Sequence, residues 1–264
     1  MYLWRKQAHP NWLRSHEQSL QLRFGSALAI VERPGKARTL VEISCRMRKE
    51  AIELQKKLGG SIEKLRTDWL QRFAKRSTVK PVRIGSRSIT IPAEAAFGTG
   101  EHATTAMCVR LLERVAQRRD SDTWTMLDAG TGTGILAIVG SCLGAKRVLA
   151  IDNDPLACSI ARRNARKNRA NRIEFRTADV LKVKLAGKLD IITANLFSEL
   201  LIAAMPGWSP HLAPEGCLIL SGILTTQETS VVRALRRQGF TCSETRRRGK
   251  WVALLAERDR QKGS

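Results

Sequence analysis

A glycine-rich bend between a strand and a helix constrains this chain more than any other feature. Trp124–Asp128 is a short apolar run of strand character, and Asp128-Ala129-Gly130-Thr131-Gly132-Thr133-Gly134 follows it before an apolar helical pattern begins at Ile135. Glycine at a strand's carboxyl end lets the backbone turn sharply and lets a ligand approach with no Cβ in the way. A dinucleotide fingerprint places its third glycine where this chain has Ile135. The shorter spacing suits an adenosine with a methionine tail better than a pyrophosphate, so Gly130 and Gly132 are expected to face a cofactor.

The pattern then repeats. Arg147–Asp152 reads as the next strand and Pro155–Lys167 as its helix, with Pro155 suited to a first helical turn. Ile173–Phe175, Leu189–Thr193 and Cys217–Ser221 read as further strands. Phe240–Arg246 and Lys250–Ala256, joined only by Arg247-Arg248-Gly249, must pair antiparallel at one edge. Strands alternating with helices imply an α/β fold, a doubly wound and mostly parallel seven-stranded sheet.

Residues 1–80 are patterned differently, as a small α+β domain with a helical linker; residues 81–264 are expected to form the larger domain. Ser19–Val31 contains strand-like pieces (Leu20, Leu22, Phe24; Leu28, Ile30), and Leu40–Ile43 reads as another strand. Apolar residues recur at helical spacing over Met47–Leu58, which Gly59-Gly60 ends, and again over Ile62–Phe73. Arg83–Ile91 alternates and leads into Pro92.

Three side chains at strand ends carry candidate chemistry. Asp152 can accept both hydroxyls of a ribose, because neighbouring Asp154 is placed to cap the helix that follows. Asp179 is placed either to approach an adenine edge or to cap the next segment. Asn195 ends the fourth core strand, where its amide oxygen can accept a hydrogen bond from an amine nucleophile and aim the nitrogen lone pair at a methyl carbon. Ahead of the first core strand, Phe97-Gly98-Thr99-Gly100-Glu101-His102-Ala103-Thr104-Thr105 reads as an entrance loop, with Thr104-Thr105 capping a helix through Leu111. No Gly-Lys-Ser/Thr follows, so it is not a phosphate loop. His102 reads as a hydrogen-bonding loop residue rather than a metal ligand.

Bulk properties narrow the class. The charge is +22, from 46 Lys and Arg against 24 Asp and Glu, and residues 1–90 alone carry a net +13. Such a surplus favours anionic partners, with RNA contact through the basic N-terminal region one outcome. Six cysteines lie scattered without a CxxC pair and read as small buried hydrophobes of a reducing compartment. Neither they nor the four histidines show metal-ligand spacing. The first residues turn polar at once, and the best apolar run, Ile135–Ala145, is too short to span a bilayer, so a cytoplasmic protein is expected.

The entrance string, Leu127–Leu136, Ile151-Asp152-Asn153-Asp154-Pro155 with Asn164-Ala165, and Ala194-Asn195-Leu196 together strongly resemble the PrmA family. These enzymes methylate large-subunit ribosomal protein eleven. The resemblance runs over roughly residues 92–256 and rests most on the FGTGxHxTT string, since the glycine loop is common to many methyltransferases. It implies a class I, Rossmann-like methyltransferase domain that uses S-adenosylmethionine, with Thr105, Gly130, Asp152 and Asn195 at the cofactor. It also implies methylation of lysine and α-amino groups on a ribosomal or other translation-associated protein. Phe197 stands where a smaller aliphatic residue is usual. The competing reading, an RNA or DNA base N-methyltransferase, is prompted by the charge and Phe197, but the Asn-Pro-Pro-aromatic signature is absent. A binding module that lost activity is disfavoured by intact Gly130, Gly132, Asp152 and Asn195.

Overall fold

The computed structural model describes residues 2–24, 27–31, 37–45, 47–64, 81–85, 87–92 and 102–259. It divides into two compact units, Met1–Ser77 with Glu94–Ala96, and Thr78–Ala93 with Phe97–Ser264.

The first unit contains β1 (Tyr2–Ala8), α1 (Pro10–Phe24), β2 (Leu28–Val31), β3 (Thr39–Cys45), α2 (Arg48–Leu58) and β4 (Ser61–Lys64). The strands form an antiparallel sheet of order β2-β3-β1-β4. Val41, Ile43 and Cys45 alternate onto one face of β3 and share a core with Trp4 of β1, Leu13 and Leu20 of α1, and Ala51 and Leu54 of α2. The strands expected at Leu28–Ile30 and Leu40–Ile43 and the helix ending at Gly59 are present.

Two expectations in this unit are overturned. Ser19–Phe24 is helix, not strand. Leu13 and Leu20, seven residues apart and both buried, form one helical stripe, and Pro10 opens the first turn, where its missing N–H costs nothing. Ile62–Lys64 belongs to β4, not to a helix. Gly59 and Gly60, both at positive φ, turn the chain back so that Ser61–Lys64 pairs with the β1 edge. The remainder of the helix expected over Ile62–Phe73 lies outside the described residues.

The second unit begins with a hairpin, β5 (Val82–Ile84) and β6 (Arg87–Ile89), where a single alternating run was expected; Gly85 at φ 54° bends it. Then follow α3 (Ala103–Ala116), β7 (Thr125–Ala129), α4 (Ile135–Cys142), β8 (Arg147–Asp152), α5 (Pro155–Lys167), β9 (Ile173–Thr177), β10 (Leu189–Asn195), α6 (Ser198–Trp208), β11 (Leu212–Leu224), α7 (Glu228–Arg237), β12 (Phe240–Arg248) and β13 (Trp251–Arg258). The seven strands order as β12-β13-β11-β10-β7-β8-β9. Pairing is parallel from β11 through β9 and antiparallel at β13 and β12, as the tight final turn required. Successive strand residues face opposite ways: Met126, Val148 and Ile191 pack with α3 and α4, whereas Leu127, Ile192 and Leu218 pack with α6 and α7. Both faces are therefore covered, and loops at the carboxyl ends of β7, β8 and β10 meet at the break in strand order. Among the described residues no helix is long and apolar enough to cross a membrane.

Candidate functional site at the carboxyl rim of the sheet

The glycine loop is held by a buried acid. Asp128, 1% exposed, accepts hydrogen bonds from the Thr131 hydroxyl (2.7 Å), the Thr193 hydroxyl (2.8 Å) and the Ala137 backbone N–H (3.2 Å). It thereby ties the loop to the first turn of α4 and to β10. Burial pushes its carboxyl up to about 6, against these hydrogen bonds, which favour the ionised form. Reading from the residues singled out the loop and missed this pin. The only signal was an acid inside an otherwise apolar strand.

The loop then turns back onto β8. The N–H groups of Gly130 and Thr131 both donate to the Ile151 carbonyl, at 2.9 and 2.8 Å. Gly132 donates to Asp152 Oδ2 at 2.9 Å, and Asp154 N–H donates to Asp152 Oδ1 at 3.0 Å. Asp152 is 7% exposed, and burial raises its carboxyl above the usual range. The α5 cap falls to Asp154, whose side chain accepts from Leu156 N–H at 2.9 Å, as its position beside Pro155 suggested. Two glycines are sterically required. Gly130 sits at φ 74°, and a Cβ there would collide with Leu196 Cδ2; Gly134 sits at φ 83°, and its Cβ would lie 2.9 Å from that of Ala161. Asn164 supports the loop from α5 by donating to the Thr133 carbonyl at 3.0 Å.

The other half of the rim is built by β10 and α3. Asn195 ends β10 and donates through Nδ2 to Thr105 Oγ1 at 3.3 Å. Its Oδ1 is buried and has no hydrogen-bond partner among the described residues. Thr105 is 1% exposed in the first turn of α3. The helix cap expected at Thr104-Thr105 is instead His102, whose Nδ1 accepts from Thr104 N–H at 3.4 Å. Both threonines already have helical backbone there. The His102 ring meets Trp251 edge-on at 5.3 Å, and burial, followed by the charge of Lys250, pushes the imidazole pKa down. Residues 97–101 of the entrance string lie outside the described residues.

The structure thus brings the five singled-out residues into two bonded pairs joined through Gly130. Gly132 holds Asp152, Thr105 holds Asn195, and Gly130 bonds the residue before Asp152 and packs on the residue after Asn195. Asp179 Oδ1 accepts from Leu181 N–H at 2.9 Å, closing the turn that follows β9. Among the described residues no three His, Cys, Asp or Glu side chains cluster as a metal site would need.

Sheet order, antiparallel edge and glycine loop together define a class I methyltransferase fold. The N-methyltransferase NodS from Bradyrhizobium japonicum WM9, solved with S-adenosyl-L-homocysteine, shares it at a TM-score of 0.51 and 19% identity, covering 61% of this chain and 90% of that one. A family model described as ribosomal protein L11 methyltransferase (PrmA) matches residues 28–259, and the chain belongs to that family. The match reaches well upstream of the motifs that carried the resemblance. A ribosomal protein L11 methyltransferase from Heliobacterium modesticaldum is 42% identical over 171 residues, covering 64% of this chain and 52% of the relative. One from Pelotomaculum thermopropionicum is 37% identical over 207 residues, covering 72% and 65%. The crystal structure of a ribosomal protein L11 methylase from Lactobacillus delbrueckii subsp. bulgaricus is 34% identical at a TM-score of 0.56, covering 62% of this chain and 81% of that one. The chain spans between about half and two thirds of the length of the first two relatives.

Proposed function

We propose that this chain is an S-adenosylmethionine-dependent protein N-methyltransferase acting in the cytoplasm on lysine or α-amino groups of a ribosomal protein, with large-subunit protein L11 the first candidate. The observation that carries this reading is the buried, unpartnered Oδ1 of Asn195, tied through Leu196 and Gly130 to a bare-backbone loop and a ribose-competent acid. An acceptor left open in a buried place is costly unless a ligand completes it.

The residues fit the cofactor. Gly130 and Gly132 leave the loop without side chains, and Asp152 offers carboxylate oxygens at the end of β8. When bound, S-adenosylmethionine supplies an electrophilic methyl on a sulfonium. Asn195 Oδ1 would accept an N–H of the substrate amine and aim its lone pair, while Thr105 fixes the amide by taking the Nδ2 hydrogen bond. Both side chains are uncharged, so neither stabilises an ammonium form that cannot attack. Positioning two reactants as near-attack partners contributes roughly 7–11 kcal/mol, which removes the need for a covalent intermediate. Substrate recognition is assigned to the unit built on β1–β4, supported by the net +10 carried by residues 1–77.

The test is incubation with tritiated S-adenosylmethionine, purified L11 and cell extract. Label entering protein, and L11 in particular, is expected. Label that resists protease and enters RNA would overturn the substrate class, and calorimetry without cofactor binding would overturn the enzyme reading altogether.

A further inference from the structure

We propose that the flank formed by α5, the turn after it and β9 docks the phosphate backbone of a nucleic acid, apart from the methyl-transfer site. Pro155–Arg176 holds seven basic residues and one acid, a net +6 out of the +9 carried by residues 91–264. Arg162, Arg163, Arg166, Lys167, Arg169, Arg172 and Arg176 are all exposed. The first four sit at i, i+1, i+4 and i+5 on the outer face of α5, because Ala161, Asn164 and Ala165 are buried against the rest of the unit. Arg162 and Arg166 are therefore one turn apart, roughly 6 Å along the axis. Arg169 and Arg172 continue the row beyond the helix, and Arg176 returns it along the edge strand β9.

The hairpin extends this face. Thr90 and Asn168 exchange hydrogen bonds, N–H to Oδ1 at 2.9 Å and Nδ2 to carbonyl at 3.0 Å, which fixes β5–β6 at the end of α5. Arg87 thereby lines a cavity of about 410 Å³ together with Arg169, Arg172, Ser121, Ser141 and Asn171. Asp122 also lines it and pairs with Arg172.

Two physical points favour a ligand over a merely solvated face. The helix dipole accounts for Arg166 and Lys167 in the last turn of α5 without a ligand, but not for Arg162, Arg163, Arg169, Arg172 and Arg176. Like charges one turn apart, as in Arg162/Arg166 and Arg163/Lys167, destabilise the isolated helix and are offset when a polyanion lies across them. A protein partner is disfavoured, since protein interfaces centre on apolar anchors. Within Pro155–Arg176 the one large exposed apolar side chain is Leu156, in the first turn of α5 and more than a turn before Arg162. Arginine is the rule here, and its guanidinium matches phosphate oxygens two at a time.

The test is fluorescence anisotropy with labelled single-stranded oligouridine of about 20 nucleotides, a thymidine oligomer of equal length and polyglutamate, each titrated against the full chain at several salt concentrations. The triple variant R162E/R166E/R169E is compared with the charge-matched R233E/R236E/R237E on α7. Expected for the first variant is at least a tenfold loss of affinity for the oligomers and a salt slope lower by about 2, with the α7 variant close to wild type. Binding of oligouridine alone would assign the face to RNA, and equal binding of both oligomers to the backbone without regard to sugar. Equal losses in both triple variants, unchanged binding in the first, or polyglutamate binding as tightly as the oligomers would each overturn the proposal. Should the reversal fail to fold, R162Q/R166Q/R169Q carries the same comparison, since loss of three phosphate contacts by itself lowers the slope by about 2.

Discussion

The two halves of the rim differ in how completely they are satisfied. On the β7–β8 side, Asp128 accepts three hydrogen bonds and Asp152 at least two, so the glycine loop is fixed by the protein itself. On the β10–α3 side, Asn195 makes one hydrogen bond to Thr105 and leaves its buried oxygen open. The first half is held by its own hydrogen bonds, as the proposed cofactor cradle would require. The second, on the proposed function, is the edge whose missing partner would arrive with the substrate. Preorganised dipoles lower a barrier because their orientation is settled before reaction. On the proposed function, the open Asn195 acceptor is where substrate discrimination would be concentrated. The other buried acceptor without a partner among the described residues, Asn164 Oδ1, lies behind the glycine loop on an amide already donating to Thr133.

Substitutions can break or sharpen that contrast. Asn195→Ala should have the largest effect, lowering kcat by roughly 100- to 1000-fold, in line with loss of one oriented transition-state dipole. The dissociation constant for S-adenosylmethionine, measured by calorimetry, should change by less than about threefold, comparable to a weak neutral contact. An equal loss in cofactor affinity would erase the distinction between the halves.

Asp128→Asn should come next and act on stability. The folded carboxyl titrates at about 6 against an ordinary 3.8, so the native state holds a proton that the unfolded chain releases. That contribution is fully present below about 3.8 and is lost as pH rises through about 6. Relative to the Asn variant, wild-type unfolding free energy should fall by roughly 3 kcal/mol across this window, read from urea midpoints at successive pH values. A flat difference would mean that Asp128 does not titrate as a buried group.

Asp152→Asn removes the charge while keeping the shape. Cofactor affinity should drop by about 10- to 100-fold with kcat little changed at saturation, the mirror image of Asn195→Ala. The smallest effect is expected for Thr105→Val, which removes the acceptor that orients the Asn195 amide. One neutral hydrogen bond corresponds to about 1 kcal/mol, hence a roughly fivefold loss in kcat, with the melting temperature within a few degrees of wild type. A collapse in melting temperature would make Thr105 a structural residue instead.

Much of the second unit was legible because its strands are short apolar runs ended by glycine, aspartate or asparagine. Arg147–Asp152 and Pro155–Lys167 have the bounds their patterns implied. The first unit was less legible, since Leu20, Leu22 and Phe24 satisfy both a strand period and part of a helical one. Only the shared core with Val41 and Ile43 selects the helix. Ile62–Lys64 likewise follows a neighbour, the β1 edge, more than its own pattern. In the site, Gly130, Gly132, Asp152 and Asn195 announced themselves by type and by place at strand ends. Asp128 did not, because an acid at the end of a buried strand gives no hint of which donors will surround it.

The sequence by itself determined the alternation of strand and helix, the bare loop after β7 and the acid and amide that end β8 and β10. These are local matters of period, backbone freedom and side-chain type. Tertiary structure alone decided that Thr105 would meet Asn195 across 90 residues, that Asp128 would gather donors from three segments, and that Asn195 Oδ1 would stay open. Hydrogen bonding depends on distances of a few tenths of an ångström between remote segments, and packing fixes those distances only when the sheet and helices close around them.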